Sequence, residues 1–256
     1  AEWALVEPMI PPAKRGGRKR SVDVREVLNG IFYVLSTGCQ WNAVPTDLPP
    51  KSTIYDYLDL WDWDGTLERI HRALYLAVRE QAGREASPTV AIIDAQSAKG
   101  AQKGGRPIDP SGYDAGKKVT GRKRHILVDT LGLLLNVVVH PADLQDRDGA
   151  LLVLDRRTRR RFPFIECIFA DANYQGPKLA TALAETGTWT IEIVKRNESH
   201  RFVVLPKRWI VERTLAWISR CRRVAKDFER HARKGAAFIR LAMIRLMLRR
   251  LTAASS

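Results

Sequence analysis

The sequence predicts a small all-helical unit followed by an α/β domain with a mixed sheet flanked by helices. Three observations predict it. Val24, Val27, Leu28, Ile31, Val34 and Leu35 recur at helical spacing. From residue 89 the pattern changes to short apolar runs, 89–93 and 165–170, each stopping at an aspartate. Between them, residues 124–129 and 133–139 flank Thr130-Leu131-Gly132, a hairpin signature with glycine in the turn. Antiparallel strands followed by strand–helix–strand units give a mixed sheet.

In chain order, a proline-rich opening leads to a basic cluster, Lys14, Arg15, Arg18, Lys19 and Arg20. Ser21 or Asp23 can cap the first long helix, and Gly38 ends it. A loop with Pro45, Pro49 and Pro50 precedes a second helix through Tyr55, Leu58 and Trp61, for which Ser52 or Thr53 is the expected cap. A third helix is expected over 67–78. Short helices, a tight turn and basic flanks suggest a helix-turn-helix module; a helical cap without DNA contact is the alternative. Residues 83–88 mark the expected boundary between a domain at 1–82 and one at 88–256. Residues 99–124, with eight Lys or Arg against two Asp, read as a flexible loop. Helices are then expected over 146–159 and 177–185, a strand over 188–194, and two late helices.

The chain has 256 residues, 45% hydrophobic and 28% charged, a globular composition that excludes a mainly disordered chain. Its net charge is +15, and residues 195–250 hold 17 basic against 4 acidic side chains. Such a segment repels itself unless an anion lies against it, and nucleic acid is the commonest such partner. No secretory pattern opens the chain, and the apolar stretch at 235–251 is broken by Arg240, Arg245, Arg249 and Arg250. A soluble cytoplasmic protein that faces nucleic acid is therefore expected, with no membrane partner. Cys39, Cys167 and Cys221 lie far apart and read as ordinary thiols.

Asp94 and Asp171 close the two apolar runs. Adjacent strands of an open α/β sheet bring such ends to one edge. Two close aspartates repel unless a divalent cation neutralises them, and Mg²⁺ suits oxygen ligands. Capping of the following turn is the alternative for each. The third carboxylate, Glu212, falls beside a helical stripe of Val211, Leu215, Ile218, Cys221 and Ala225. Ala216, Ser219, Arg220 and Arg223 share its face, and no Lys or Arg stands at 216 to make it an ordinary surface ion pair. His125, His140 and His200 are scattered, and Ser97 and Tyr174 suit hydrogen bonding or capping. Trp41, Trp61, Trp209 and Trp217 are expected in the core, with stacking on a displaced base as the other possibility. Two basic groups are candidate DNA contacts. Lys99, Lys117, Lys118, Arg122, Lys123 and Arg124 surround the first loop, and Arg208, Arg213, Arg220, Arg222, Arg223 and Lys226 flank Glu212.

Four strings carry a resemblance: Asp94-Ala-Gln-Ser-Ala-Lys99, residues 112–125, Asp171-Ala-Asn-Tyr-Gln-Gly176, and Arg208-Trp-Ile-Val-Glu-Arg-Thr-Leu-Ala-Trp217 followed by residues 222–229. With residues 28–41 and 52–55, they resemble the DDE transposases of bacterial insertion sequences, in the compact branch with a helical N-terminal domain and a ribonuclease H-like catalytic domain. The resemblance implies that Asp94, Asp171 and Glu212 form the acidic triad. It implies a role for Arg208, and for Arg220 as the basic position after the glutamate, where Ser219 departs from the pattern. It further implies a site for two Mg²⁺ ions, with Mn²⁺ able to substitute. The activity expected is binding of the element's terminal inverted repeats, cleavage by water and strand transfer by the resulting 3′ hydroxyl. The partners expected are double-stranded DNA, as transposon ends and target, and further copies of the chain in a dimer or higher assembly. A silent repressor derived from such an enzyme, or a nuclease without joining activity, are the alternatives.

Overall fold

The computed structural model describes residues 1–13, 16, 19–101, 108–187, 189–194 and 207–253. Lys14, Arg15, Arg18, Thr188 and His200 of the readings above lie outside them. The helices at the start are α1 (Glu2–Val6), α2 (Val24–Thr37), α3 (Lys51–Trp63) and α4 (Thr66–Gln81). Asp23 caps α2, its carboxylate accepting from the Arg25 amide at 2.8 Å. Gly38 ends α2 in the left-handed region (φ 67°). The α3 helix starts directly after Pro50, so Ser52 and Thr53 lie inside its first turn and neither caps it.

The rest comprises β1 (Val90–Lys99), β2 (Gly112–Asp114), β3 (Val119–Asp129), β4 (Leu134–Pro141), α5 (Asp146–Val153), α6 (Arg156–Arg161), β5 (Cys167–Ala170), α7 (Pro177–Thr186), β6 (Thr190–Ile193), α8 (Arg208–Ser219) and α9 (Ala232–Ala253). By contacts the chain falls into two units, one of Ala1–Arg84, Arg220–Ala225 and Ala237–Ser256, the other of Glu85–Ser219 and Lys226–Ala236.

In the first unit, the apolar stripe of α2 (Val27, Ile31, Val34, Leu35) is fully buried, as are Ile54, Leu58 and Trp61 of α3 and Leu67, Ile70 and Leu74 of α4. The late apolar stretch is explained by α9, where Phe238, Ile239, Leu241, Met243, Ile244 and Met247 are all buried. A helix buried on several sides needs apolar residues on several sides. No helix among the described residues is long and apolar enough to cross a membrane.

The second unit is built on one sheet. The antiparallel neighbour of β1 is β3, which pairs in turn with β2 and β4; on its other edge β1 pairs parallel with β5, and β5 with β6. This is the expected mixed sheet, an antiparallel meander joined to two parallel strands. Both α5 and α8 pack on β1 and β3. Two local expectations change. The β1 strand runs past Asp94 to Lys99, because β3 extends back to Val119 and pairs with it residue by residue. Much of the expected 99–124 loop is therefore sheet. The single helix expected over 146–159 is two, broken at Leu154, with Asp155 capping the second through the Thr158 amide at 2.8 Å.

Candidate active site

The sheet register places the first two carboxylates side by side. Ile92 of β1 pairs with Phe169 of β5 in parallel, and Asp94 and Asp171 each stand two residues further along. Side chains alternate with period 2, so both project from the same face. Asp94 therefore lies within its strand rather than at its end, while Asp171 directly follows β5. Asp94 accepts from the Ala95 amide at 2.7 Å, and Asp171 from the Asn173 amide at 2.9 Å. Burial pushes the Asp94 carboxyl up to about 6, and the charge of Asp171 adds to the rise. A like charge and a low-polarity setting both disfavour a second carboxylate.

Glu212 comes from α8, whose buried side is Ile210, Val211, Thr214, Leu215 and Ile218. Its side chain is 59% exposed. Arg208 joins the three acids: its guanidinium stands 3.7 Å from Asp171 and 3.6 Å from Glu212, and its charge also bears on Asp94. Among the described residues, no three Asp, Glu, His or Cys side chains close around a single point as ligands would. Asp94 and Asp171 are thus neighbours, and Glu212 reaches them through Arg208.

The β3–β4 turn sets the position of α8. Gly132 has φ 78°, and a Cβ there would stand 2.7 Å from the Thr214 hydroxyl oxygen and 3.1 Å from the Trp217 ring. The Thr214 hydroxyl donates to the Gly132 carbonyl at 2.9 Å. Gly132→Ala is expected to cost about 1–3 kcal/mol of stability, measurable by urea unfolding, because it combines a strained backbone with a clash.

Behind the carboxylates lies a buried histidine pair. The Pro141 carbonyl can only accept, so His140 Nδ1 donates to it (2.8 Å), and His140 Nε2 then accepts from His125 Nδ1 (2.7 Å). Gly149 makes room for both rings; a Cβ there would stand 2.4 Å from His125. Burial, then the neighbouring His140 and Lys123, push His125 down to about 3, and burial likewise lowers His140. His71 in the first unit is held near 3 by burial and Arg240. The unfolded chain takes up these protons near pH 6.5 and the folded one does not. Stability is therefore complete above about pH 6.5 and falls as pH drops towards 3, by up to about 4 kcal/mol for each of His71 and His125. Urea midpoints measured across that range check this. Tyr174 packs edge-on against His125, and burial, then the Asp94 charge, raise its hydroxyl pKa well above the usual value. Ser97 donates to Asp114 rather than to a triad carboxylate.

The basic residues divide differently from the sequence reading. Lys99, Lys117 and Lys118 are exposed, with Lys117 donating to the Ala95 carbonyl at 3.0 Å. Arg122, Lys123 and Arg124 are buried and committed. Arg122 donates to the carbonyls of Asp109, Pro110, Glu229 and Arg230, and Lys123 pairs with Asp146 at 2.8 Å. Arg124 donates to the Lys226 carbonyl at 3.1 Å, and burial lowers it to about 10. These three charges are engaged within the fold. The helix carrying Glu212 also stops at Ser219, since Cys221 is extended (φ −83°, ψ 112°). Arg220 and Arg223 therefore do not continue its face. Arg223 is buried, stacked over Trp41 and Phe238 and donating to the Cys39 carbonyl at 3.1 Å, while Arg220, Arg222 and Lys226 are exposed.

Sequence reasoning missed a ladder on α8. Arg213 lies 4.5 Å from the centroids of both Trp209 and Trp217. The spacing i, i+4, i+8 was the available signal, since it aligns the three residues on one helix face.

A family model described as "Transposase DDE domain" matches residues 85–247. The chain belongs to the DDE-domain transposase family. A second model, described as "Putative transposase of IS4/5 family", matches residues 1–71 of the same chain. A protein named "Putative transposase for insertion sequence element IS402", from Burkholderia cepacia, is 32% identical over 127 residues, 47% of this chain and 60% of that protein. A second protein of that organism, "Insertion element IS402 uncharacterized 16.2 kDa protein", is 34% identical over 83 residues, 30% of this chain and 56% of its own length. The matches thus span less than two thirds of either curated relative. A solved Mos1 transposase paired-end complex with left transposon end aligns over 96% of this chain and 81% of its own, at 9% identity and TM-score 0.27, a likeness too distant to bear on the fold.

Proposed function

We propose that this DDE-family chain is a DNA transposase whose centre is Asp94, Asp171 and Glu212. The observation that carries the proposal is the register pairing that puts Asp94 and Asp171 on one face, with Arg208 linking Asp171 to Glu212. The donor set fits a divalent cation: the side chains are carboxylates, and burial, with the Asp171 charge added, disfavours an ionised Asp94 that a bound cation would stabilise. Asp94 and Asp171 would hold the metal, and the exposed Glu212 would swing in from α8. Bound Mg²⁺ ions, or Mn²⁺ in their place, would supply Lewis-acid activation of the attacking oxygen and charge neutralisation at the phosphate.

The protein's part is positioning and charge. Arg208 holds two of the three acids in reach of each other, and its guanidinium would be available to a phosphate once a bound cation neutralised them. Exposed Lys99, Lys117 and Lys118 on the sheet unit supply non-specific backbone affinity. At a transposon end, a water oxygen forms a bond to phosphorus as the bond to the 3′ oxygen breaks, leaving a 3′ hydroxyl. That hydroxyl then attacks a target phosphodiester, forming one phosphorus–oxygen bond and breaking another. Holding two ends together calls for a dimer or larger assembly.

The test is incubation of labelled element-end DNA with the protein and Mg²⁺. The proposal expects a nicked product with a free 3′ hydroxyl and joint molecules with target DNA, both abolished by chelation. Cleavage without joint molecules would leave a nuclease, and binding without cleavage a DNA-binding protein only.

A further inference from the structure

We infer that two copies of this chain dock α3 of one against the arginine patch at α6 of the other, an inference that rests on the function proposed above. Among the described residues, the most exposed large apolar side chains are Trp63 (81%) and Phe164 (66%). Each stands in a charged patch, and the two patches have opposite sign. Residues 51–64 hold four aspartates against Lys51, in a chain of net charge +15. Asp62 faces Arg240 at 3.9 Å and Asp64 accepts from the Thr66 amide at 2.9 Å, both within their own unit. Ser52, Asp56, Asp59, Leu60 and Trp63 share the face opposite the buried Ile54, Leu58 and Trp61. Residues 152–164 hold five arginines and one aspartate, Asp155, which caps α6. Arg159 donates to the Ile165 carbonyl at 2.7 Å, while Arg156, Arg157 and Arg160 are exposed, as is Leu152.

The two surfaces complement each other. Exposed apolar side chains ringed by polar ones mark interaction surfaces, and tryptophan and arginine are the residues that most often anchor them. The α3 face, with Asp56 exposed and Asp59 half-buried, repels a phosphate backbone. An arginine fork, by contrast, can pair with Asp56 and lay its flat side on the Trp63 ring. The α6 patch has charge enough for DNA, but Leu152 and Phe164 gain nothing from phosphate. Only an apolar partner removes them from water, and Leu60 and Trp63 supply one. A second copy therefore brings both what α3 lacks and what α6 lacks. A twofold axis would use the contact twice, α3 of each copy on α6 of the other. Pairing two DNA ends calls for such a pair of copies.

The test is sedimentation velocity on the full chain, alone and with element-end DNA. Wild type is expected to self-associate in at least one of the two conditions. Trp63→Ala, Asp56→Arg and Arg160→Glu are each expected to weaken that association at least about tenfold, with single-end affinity unchanged within a few-fold. An equimolar mixture of Asp56→Arg and Arg160→Glu is expected to recover association close to that of wild type. Both contacts of the mixed pair then join opposite charges, whereas each variant alone meets like charge twice. Misfolding of either variant cannot produce that recovery. A mixture that stays dissociated, or a wild type that is monomeric in both conditions, would overturn the inference. So would Arg160→Glu weakening DNA binding while association holds, which would assign the α6 patch to phosphate. Cleavage by a wild type that stays monomeric would leave the enzyme reading standing. Association in the expected pattern without any cleavage would overturn the enzyme reading and keep the contact.

Discussion

Asp94→Asn and Asp171→Asn are each expected to lower metal-dependent strand cleavage at least about 10³-fold, with end-DNA affinity unchanged within a few-fold. The size is that of losing a charged ligand from the proposed metal centre, where electrostatic stabilisation of the phosphate would supply most of the rate, about 4 kcal/mol of barrier. Stability should move the other way. Burial and the Asp171 charge already hold Asp94 at a raised pKa, so Asp94→Asn removes an unfavourable charge from the metal-free protein. Urea unfolding without metal should find it as stable as wild type or more so, by up to about 1 kcal/mol. Glu212→Gln should lose activity similarly with no gain in stability, because Glu212 is exposed and pairs with Arg208. Activity lost together with stability gained marks a functional site; loss of both would mark these acids as structural.

Arg122→Met should cost about 3–5 kcal/mol of stability, the largest effect expected of a single substitution. The Arg122 side chain is 1% exposed and stands 3.4 Å from Asp227, itself 4% exposed. Its donors also satisfy the carbonyls of Asp109 (2.6 Å), Pro110 (3.2 Å), Glu229 (2.9 Å) and Arg230 (2.7 Å). Removal takes the buried Arg122 charge from Asp227 and a donor from four carbonyls at once. Arg122→Lys should not restore stability, since one ammonium cannot span acceptors that a planar fork serves together. Urea unfolding of the three proteins decides it. A loss below about 1 kcal/mol in the methionine variant would contradict the burial of this arginine, by the usual size of a surface substitution.

The same arginine shows where the sequence stops being legible. A run of Lys and Arg in 122–124 reads as surface charge, because such side chains are seldom fully buried. The groups that bury Arg122 come from residues 107 and 108 positions away, and no local pattern reveals them. Arg223 was misread for the same reason: its partner carbonyl is on Cys39, 184 positions away. By contrast, α2 was legible from its period and its two caps, and the β3–β4 hairpin from Gly132. Asp94 and Asp171 were found as the polar stops of apolar runs. That Asp94 sits within a strand was not, since β1 is prolonged by pairing with β3 rather than by its own apolar pattern. The Trp209–Arg213–Trp217 ladder was visible as spacing, yet tryptophan composition alone favoured the core. Glu212 was placed on the right helix, but the end of that helix at Ser219 depends on the backbone at Cys221.

If these carboxylates hold a metal ion for phosphoryl transfer, a softer ligand in place of one of them changes which ion supports cleavage, and Asp171→Cys makes that change. A thiolate is a poor ligand for Mg²⁺ and a better one for softer divalent ions. Asp171→Cys is expected to be inactive on end DNA with Mg²⁺ and to recover part of its cleavage with Mn²⁺, while Asp171→Ala recovers none with either ion. Equal loss in both variants under both metals, or full activity of Asp171→Cys with Mg²⁺, would contradict a metal-holding role for Asp171.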